Sequence, residues 1–564
     1  MSESGAMNTV LTLHDPQQAR AYYAAGVWQD KTLYMLLQSH AQARPDACAL
    51  RDSARRLTWA QLLEWTDAVA ADLAAAGLRK GSRVSVWLPS RVESVIIFLA
   101  CSRNGYICNP SLHQNYTVAE IVRLIERIDC EAFFGQKGYG ADAKREGATD
   151  EIGAVKSLRR TYWLEPSRTS SDGFPRASGA RPVSDPDTNP DKVVYLAFTS
   201  GTTGLPKAVM HSDNTLLANG RAMVKDWGHD ASTILLSLSP VSHHIATVSI
   251  EQMLVAGLEL VVNDLPDGMK PIDWILETGA TYVMGVPTHA MDILAEARRR
   301  GLEKLGKVKV FYMAGAAIPR EIAQGFLNRG ILPQNVYGMT ENGSHQYTLP
   351  SDNADTIVGT CGRACAAYEV TLWNQDNPDI GVKPGEIGEI GGRGGSLMLG
   401  YFNNQSATEK SFNAHGWFLS GDLGMFDDNG CLIIMGRKKD LIIRGGHNIH
   451  PSTIEDLAIT HPAVLKAAAF PVADDRLGEK VCLSVTCTEG AVPPTGDEIL
   501  KHLRDAGLSK FDMPEYYLAL DEFPQTASGK ILKRELVEWV KQGRLNPMPV
   551  RWTGDDNKTP EKAN

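Results

Sequence analysis

Apolar residues along this chain follow two rhythms that alternate. Behind "TWAQ" (Thr58 to Gln61), Leu62, Trp65, Val69, Leu73 and Ala76 recur at spacings of three and four, the period of a helix with one buried face. Thr58 and Gln61 have the form of a capping box at its start, and Gly77 supplies the stop. "RVSVWLP" then reads as a strand closed by proline. "TVAE" (Thr117 to Glu120) opens a second capped helix through "IVRLIERI", and the strand-like "CEAFFG" follows it. Further apolar runs, "VVYLAF", "ILLSLSP", "LELVVND", "ATYVMGVP" and "VKVFYMAGA", are separated by segments of helix length. Strands alternating with helices predict an α/β fold, in which largely parallel sheets are covered by helices. The polar segment Ser167–Pro190 reads as an exposed linker or loop.

The rhythm changes after about Gly436. "FDDNGCLIIMGRKKDLIIRGG" carries an Asn429-Gly430 hairpin signal and a cluster of basic residues. Ser452 to Glu455 ("STIE") then has the form of another helix cap, and the remainder suits one small α+β domain. The expected organisation is a large N-terminal domain over residues 1–436 and a small mobile C-terminal domain over residues 437–564, whose last residues, "WTGDDNKTPEKAN", read as disordered. A chain of 564 residues exceeds one compact core, which agrees.

Composition narrows the function. The formal net charge is −9, with no basic footprint of the kind duplex nucleic acid requires. The nine cysteines lack paired metal-site spacing and read as reduced, buried thiols. No apolar run approaches the roughly 18 residues of a membrane span, and "MSESGAMNTV" lacks the basic-then-apolar order of a signal peptide. A cytoplasmic location without membrane insertion is expected.

The stretch "YLAFTSGTTGLPKAV" (Tyr195 to Val209) ends an apolar run in a loop of threonine, serine and glycine closed by a lysine. Backbone N–H groups that glycine allows to approach closely, with one fixed cation, can hold polyphosphate. Leu205 and Pro206 intervene between Gly204 and Lys207, so this is not the nucleotide-kinase loop, and taken alone it could be a polar turn.

Five further segments follow in order: "AGAAIP", "NVYGMTENG", "GWFLSGDLG", "GRKKDLIIRGGHNIHP" and "PQTASGK". Together with the first loop, and over nearly the whole chain, they resemble the acyl-adenylate-forming, AMP-binding enzymes, in their acyl- and aryl-CoA synthetase branch. The resemblance implies two steps. A carboxylate attacks the α-phosphate of ATP and expels pyrophosphate, and the thiol of coenzyme A (CoA) then takes the acyl group from acyl-AMP. Positioning and charge neutralisation dominate such chemistry.

By that resemblance Thr199, Ser200, Gly201, Thr202, Thr203, Gly204 and Lys207 wrap the β- and γ-phosphates. Gly315, Ala316 and Tyr337 form the adenine slot. Thr340 bonds the α-phosphate, and Glu341 holds Mg2+, a hard cation suited to a carboxylate oxygen. Asp422 accepts the ribose hydroxyls beside Arg437. Lys439 stands at the hinge between the two half-reactions, Lys530 bridges the carboxylate and the α-phosphate, and Gly445 and Gly446 face the CoA channel. The resemblance also allows a homodimer, and a lysine acetyltransferase that silences Lys530 by removing its charge.

"SPVSHHIATVSIEQM" matches the segment that lines the acyl pocket in such enzymes. There His243 either closes the thiol channel during adenylation or satisfies a hydrogen bond in the core. Ser242 and Ala246 replace the aromatic and the glycine usual at those places, which leaves the pocket's shape open. The lining is small, apolar and uncharged, so a compact apolar acid is expected. The nearest resemblance is to cyclohexanecarboxylate–CoA ligases. Benzoate, other aryl or medium-chain fatty acids, or a carrier protein as acceptor, are the alternatives. A plain ATPase would instead release ADP, and a nucleotide-binding protein without catalysis would not keep Glu341, Asp422 and Lys530.

Overall fold

The computed structural model describes residues 10–170, 172–177, 184–199, 206–315, 318, 320–488, 490–525 and 531–552. The chain divides into two compact units. The first comprises Met1–Val370, Gly392–Phe418 and Gly430–Leu432, and the second Thr371–Gly391, Leu419–Asn429 and Ile433–Asn564.

The first unit is built on two sheets. One has six strands in the order Arg160–Leu164, Cys130–Gln136, Arg83–Trp87, Ile107–Asn109, Val193–Thr199 and Lys207–Ser212. All its pairings are parallel except the last, an antiparallel hairpin. The other has nine strands, with a run of parallel pairings from Leu332–Met339 through Val310–Met313, Tyr282–Gly285, Ile234–Ser237 and Glu259–Val261 to Cys48–Arg51. Its edges are antiparallel: Arg56–Thr58 on one side, Gly343–Tyr347 and then Arg363–Ala364 on the other. Helices cover these strands, which is why strands such as Cys130–Gln136 and Arg83–Trp87 are buried along their whole length. The expected α/β class with largely parallel sheets is the class observed.

The predicted helix starts are real. Thr58 caps helix Trp59–Ala75 and Thr117 caps Val118–Arg127, each with both bonds of a capping box. "STIE" behaves differently. Helix Pro451–Ile459 starts one residue earlier, with Pro451 at its first position. Ser452 Oγ donates to the Met435 carbonyl, and Glu455 is buried, accepting from Ala469 N–H and pairing with Lys533 at 2.6 Å. Tertiary partners have taken both groups that a capping box would use.

The segment after Ser167 is likewise less exposed than its composition suggests. Phe174 is buried against Trp65 and Phe134, Arg168 pairs with Asp264 at 2.9 Å, and Asp187 is buried and pairs with Lys80 at 2.8 Å.

The second unit contains most of a four-stranded sheet, ordered Tyr368–Trp373, Gly388–Gly394, Phe418–Phe426 and Leu432–Arg437. It also holds a six-stranded sheet centred on the long hairpin of Val464–Asp474 with Gly478–Cys487. Trp552, expected within a disordered tail, carries the Arg504 guanidinium over its ring at 4.6 Å. The tail beyond it lies outside the described residues. Among the described residues no helix is long and apolar enough to cross a membrane.

Candidate active site

Strand Val193–Thr199 and strand Lys207–Ser212 pair antiparallel, with Thr199 opposite Lys207. The predicted phosphate loop is therefore closed at its base by a ladder of main-chain bonds, and Thr199 Oγ1 also donates to the Lys207 carbonyl at 3.4 Å. Ser200, Gly201, Thr202, Thr203 and Gly204 lie outside the described residues, as do Ala316 and Lys530.

The turn bearing Thr340 and Glu341 follows strand Leu332–Met339 and is tied to this hairpin by His211. His211 Nε2 donates to the Thr340 carbonyl at 2.7 Å, and its Nδ1 accepts from Thr215 Oγ1 at 3.0 Å. A carbonyl only accepts, so these bonds fix the tautomer. Burial pushes His211 down to about 4 and keeps it neutral. Glu341 is buried; its carboxylate accepts from Tyr401 Oη at 2.9 Å, and its carbonyl accepts from Met398 N–H at 2.7 Å. The Lys207 ammonium lies 4.1 Å from the centre of the Tyr401 ring.

Among the described residues no three His, Cys, Asp or Glu side chains form a metal-holding group. A single buried carboxylate fits magnesium, which is commonly held by one or two carboxylates together with substrate phosphates and water. Tyr337 is buried on its strand, its ring edge-on to His345 at 5.6 Å. Gly315 has φ of +92°, which favours glycine, and a side chain there would approach Val286 and Ile245 at 3.7 and 3.9 Å.

Ile245 belongs to helix His244–Ala256, and His243 is the residue at its N-cap. The His243 ring stacks on His113 with centroids 4.3 Å apart, and His113 Nδ1 bonds Ser242 Oγ at 2.9 Å. His244 Nδ1 meets Tyr195 Oη at 3.2 Å and stacks on His211 at 5.6 Å. Burial pushes His113 and His244 down to about 3 and His243 down to about 4; His243 further depresses His113, His289 depresses His243, and His211 depresses His244. These stacked imidazoles are thus held neutral, beside the apolar Ile245 and Val286.

These depressed values carry a consequence for stability. The unfolded chain binds protons on these histidines near 6.5, and the folded chain binds them only near 3 to 4. Stability is therefore expected to fall as pH drops from about 6.5 toward 4, by at least about 2 kcal/mol between pH 7 and pH 5. Urea unfolding midpoints at the two pH values measure this, and equal midpoints would contradict it.

In the second unit Asp422 lies on strand Phe418–Phe426 and Arg437 ends the neighbouring strand Leu432–Arg437. The two pair at 3.2 Å, with Asp422 buried. Lys439 lies in the 3-10 turn Lys438–Asp440, and Lys438 pairs with Glu389 at 2.8 Å. Gly445 and Gly446, at φ of +59° and +86°, make the tight turn between strands Ile442–Arg444 and His447–Ile449. Of the residues expected from sequence, the hairpin assembles Thr199 and Lys207 with Thr340 and Glu341 in the first unit, and adjacent strands assemble Asp422 with Arg437 in the second. His113, His211 and Tyr401 were not expected. His211 had one signal in sequence, a histidine directly after the apolar run "AVM" of strand Lys207–Ser212; Tyr401 had none.

Residues 37–402 match the family described as AMP-binding enzyme, and residues 453–530 match the AMP-binding enzyme C-terminal domain. The chain is 28% identical over 545 residues to the medium-chain fatty-acid–CoA ligase of Escherichia coli (strain K12), covering 93% of each chain. It is 29% identical over 551 residues to a salicylyl-CoA synthase / salicylate adenylyltransferase of Streptomyces sp, covering 93% of this chain and 96% of the other. Among solved structures it resembles ATP-bound MatB from Rhodopseudomonas palustris, with a TM-score of 0.80 at 26% identity, covering 91% of this chain and all of that one.

Proposed function

The chain belongs to the AMP-binding enzyme family, in its acyl-CoA ligase branch, and on that premise we propose that it joins a medium-chain or aryl carboxylic acid to CoA at the expense of ATP. The observation that carries the nucleotide chemistry is the His211 bond, which holds the Thr340–Glu341 turn against the hairpin that closes on Lys207.

The proposed sequence begins with Lys207 and the loop it closes neutralising the β- and γ-phosphates. Thr340 orients the α-phosphate, its main chain fixed by His211. A carboxylate oxygen of the acid attacks the α-phosphorus, the bond to the β-phosphate oxygen breaks, and pyrophosphate leaves. Glu341 would hold Mg2+, which supplies charge neutralisation at the phosphates. Gly315, Ala316 and Tyr337 would receive adenine, and Asp422, oriented by Arg437, would accept the ribose hydroxyls. Lys530 would bridge the two reacting anions. Residues 437–564 would then turn about Lys439 and bring Gly445 and Gly446 to the CoA thiol, which attacks the acyl carbonyl and releases AMP.

Support for the acid comes from two sides. The wall around His243, Ile245 and Gly315 carries no charge, and the relatives named above act on medium-chain fatty acids and on salicylate. Cyclohexanecarboxylate is also uncharged in its ring, but the relatives named above act on other acids, so it ranks after these. Mass spectrometry of reactions with ATP, Mg2+, CoA and octanoate, benzoate, salicylate or cyclohexanecarboxylate tests the order. An acyl-CoA with AMP, fastest for a medium-chain or aryl acid, is expected. ADP with every acid would overturn the reading, and cyclohexanecarboxylate as the fastest acid would overturn the order.

A further inference from the structure

Tyr401 touches two of the residues on which the nucleotide chemistry depends, and none of the sequence motifs contains it. One face of its ring carries the Lys207 ammonium at 4.1 Å, and its hydroxyl donates to Glu341 Oε1 at 2.9 Å. The backbone around it is held from both sides. Met210 N–H bonds to Gly400 O at 3.0 Å, Leu399 N–H to Met210 O at 2.8 Å, and Phe402 N–H to Ala208 O at 2.8 Å. Met398 N–H meets Glu341 O at 2.7 Å, so the segment is strapped to the Lys207 strand and to the Glu341 turn together. Tyr401 N–H also bonds Thr408 Oγ1 at 3.0 Å, and the side chain is buried.

We propose that Tyr401 is a positioning residue for adenylation, acting through Lys207 and Glu341. The proposal rests on the phosphate role of Lys207 and the metal role of Glu341 given above. Two opposite charges directed at one nucleotide tend to collapse onto each other. A phenol that offers its ring face to the cation and its hydroxyl to the anion gives each a partner and keeps both directed at the polyphosphate. Two variants separate the two contacts. Tyr401→Phe keeps the ring beneath Lys207 and removes only the donor to Glu341. Tyr401→Leu removes both.

Mn2+ affinity of the enzyme–ATP complex, followed by water proton relaxation, reads the Glu341 contact. ATP affinity without metal, from calorimetry, reads the Lys207 contact. Tyr401→Phe should weaken Mn2+ binding about tenfold, the size of one lost hydrogen bond to a charged group, and leave metal-free ATP binding at the parent value. Tyr401→Leu should weaken both, metal-free ATP by roughly threefold to tenfold. Thioester formation from supplied acyl-AMP and CoA involves neither pyrophosphate nor its metal, so both variants should retain it; a merely structural role would not spare it. Parent Mn2+ affinity in Tyr401→Phe, or equal loss of both half-reactions, would overturn the proposal. If the parent enzyme binds ATP and makes acyl-AMP normally in that experiment, only the role of Tyr401 fails. A parent enzyme that makes no acyl-AMP with any acid of the panel would instead remove the reading beneath it.

Discussion

Lys530→Ala is expected to cut acyl-AMP formation by on the order of 10²–10³, the cost of removing one preorganised charge-stabilising donor from a developing anion. The first step brings a carboxylate and an α-phosphate together, and both are anions. In the proposed role the Lys530 ammonium lies between them, offsetting their repulsion and holding the attacking oxygen in line. The second step starts from acyl-AMP, in which that repulsion has already been overcome. Thioester formation from supplied acyl-AMP and CoA should therefore stay within about threefold of the parent, because the lost interaction acts only in the first transition state. Stopped-flow or quench measurements of each half-reaction separate the two. Equal loss in both would remove Lys530 from this role. Acetylation of Lys530 should reproduce the alanine result, since it removes the same charge.

The largest effect on stability is expected from Glu93, distant in sequence from every motif. Its carboxylate is fully buried and accepts from Arg91 Nε and Nη2 at 2.8 and 2.9 Å and from Arg55 Nη1 and Nη2 at 2.6 and 2.8 Å. Arg55 also pairs with Asp52 at 2.6 Å, and the fully buried Arg91 reaches Gln136 Oε1 and the Glu165 carbonyl, both at 3.0 Å. Removing Glu93 leaves the Arg91 guanidinium buried without its counter-charge. Glu93→Ala should therefore cost about 3–5 kcal/mol in urea unfolding. A double variant, Arg91→Met with Glu93→Leu, should recover much of that loss, because it removes the stranded charge along with its partner. A loss under about 1 kcal/mol in the single variant would contradict the account, since that is the range of exposed ion pairs.

Glu93 also sets an acid limit. Burial alone would raise its pKa, but the hydrogen bonds and charges of Arg91 and Arg55 outweigh that and hold it below the ordinary glutamate value of 4.5. A depressed folded value means that the contribution is fully present above the unfolded pKa and is lost as pH falls through the folded one. This limb lies below the histidine limb, so acid unfolding should steepen in two stages.

The sequence made some of this legible for physical reasons. Thr58 with Gln61 and Thr117 with Glu120 satisfy each other locally, so their helix starts can be read three residues at a time. Ser452 and Glu455 show the same letters, but the acceptor at Met435 and the partners Ala469 and Lys533 come from other segments. The polar composition after Ser167 hid Phe174 for a similar reason, because its partners Trp65 and Phe134 lie on a helix and a strand far upstream. The site divides in the same way. Lys207, Glu341 and Asp422 stand in short motifs whose letters carry their chemistry. His211 and Tyr401 matter only through what they touch, and those contacts join segments more than a hundred residues apart for His211 and Thr340, and sixty for Tyr401 and Glu341.

The nine-stranded sheet also imposes an order on synthesis. Strand Cys48–Arg51 pairs on one side with its neighbour Arg56–Thr58, but on the other with Glu259–Val261, Leu50 lying opposite Leu260. A nascent chain leaving the ribosome at about 5–20 residues per second would thus carry this early hairpin with the Cys48–Arg51 edge still unpaired for roughly 10–40 seconds. An open edge is a template for pairing with other chains. During that interval the growing polypeptide depends on chaperones, or on a slow enough encounter with its neighbours, and overproduction at high temperature should drive it into aggregates before any of the finished enzyme's stability can act.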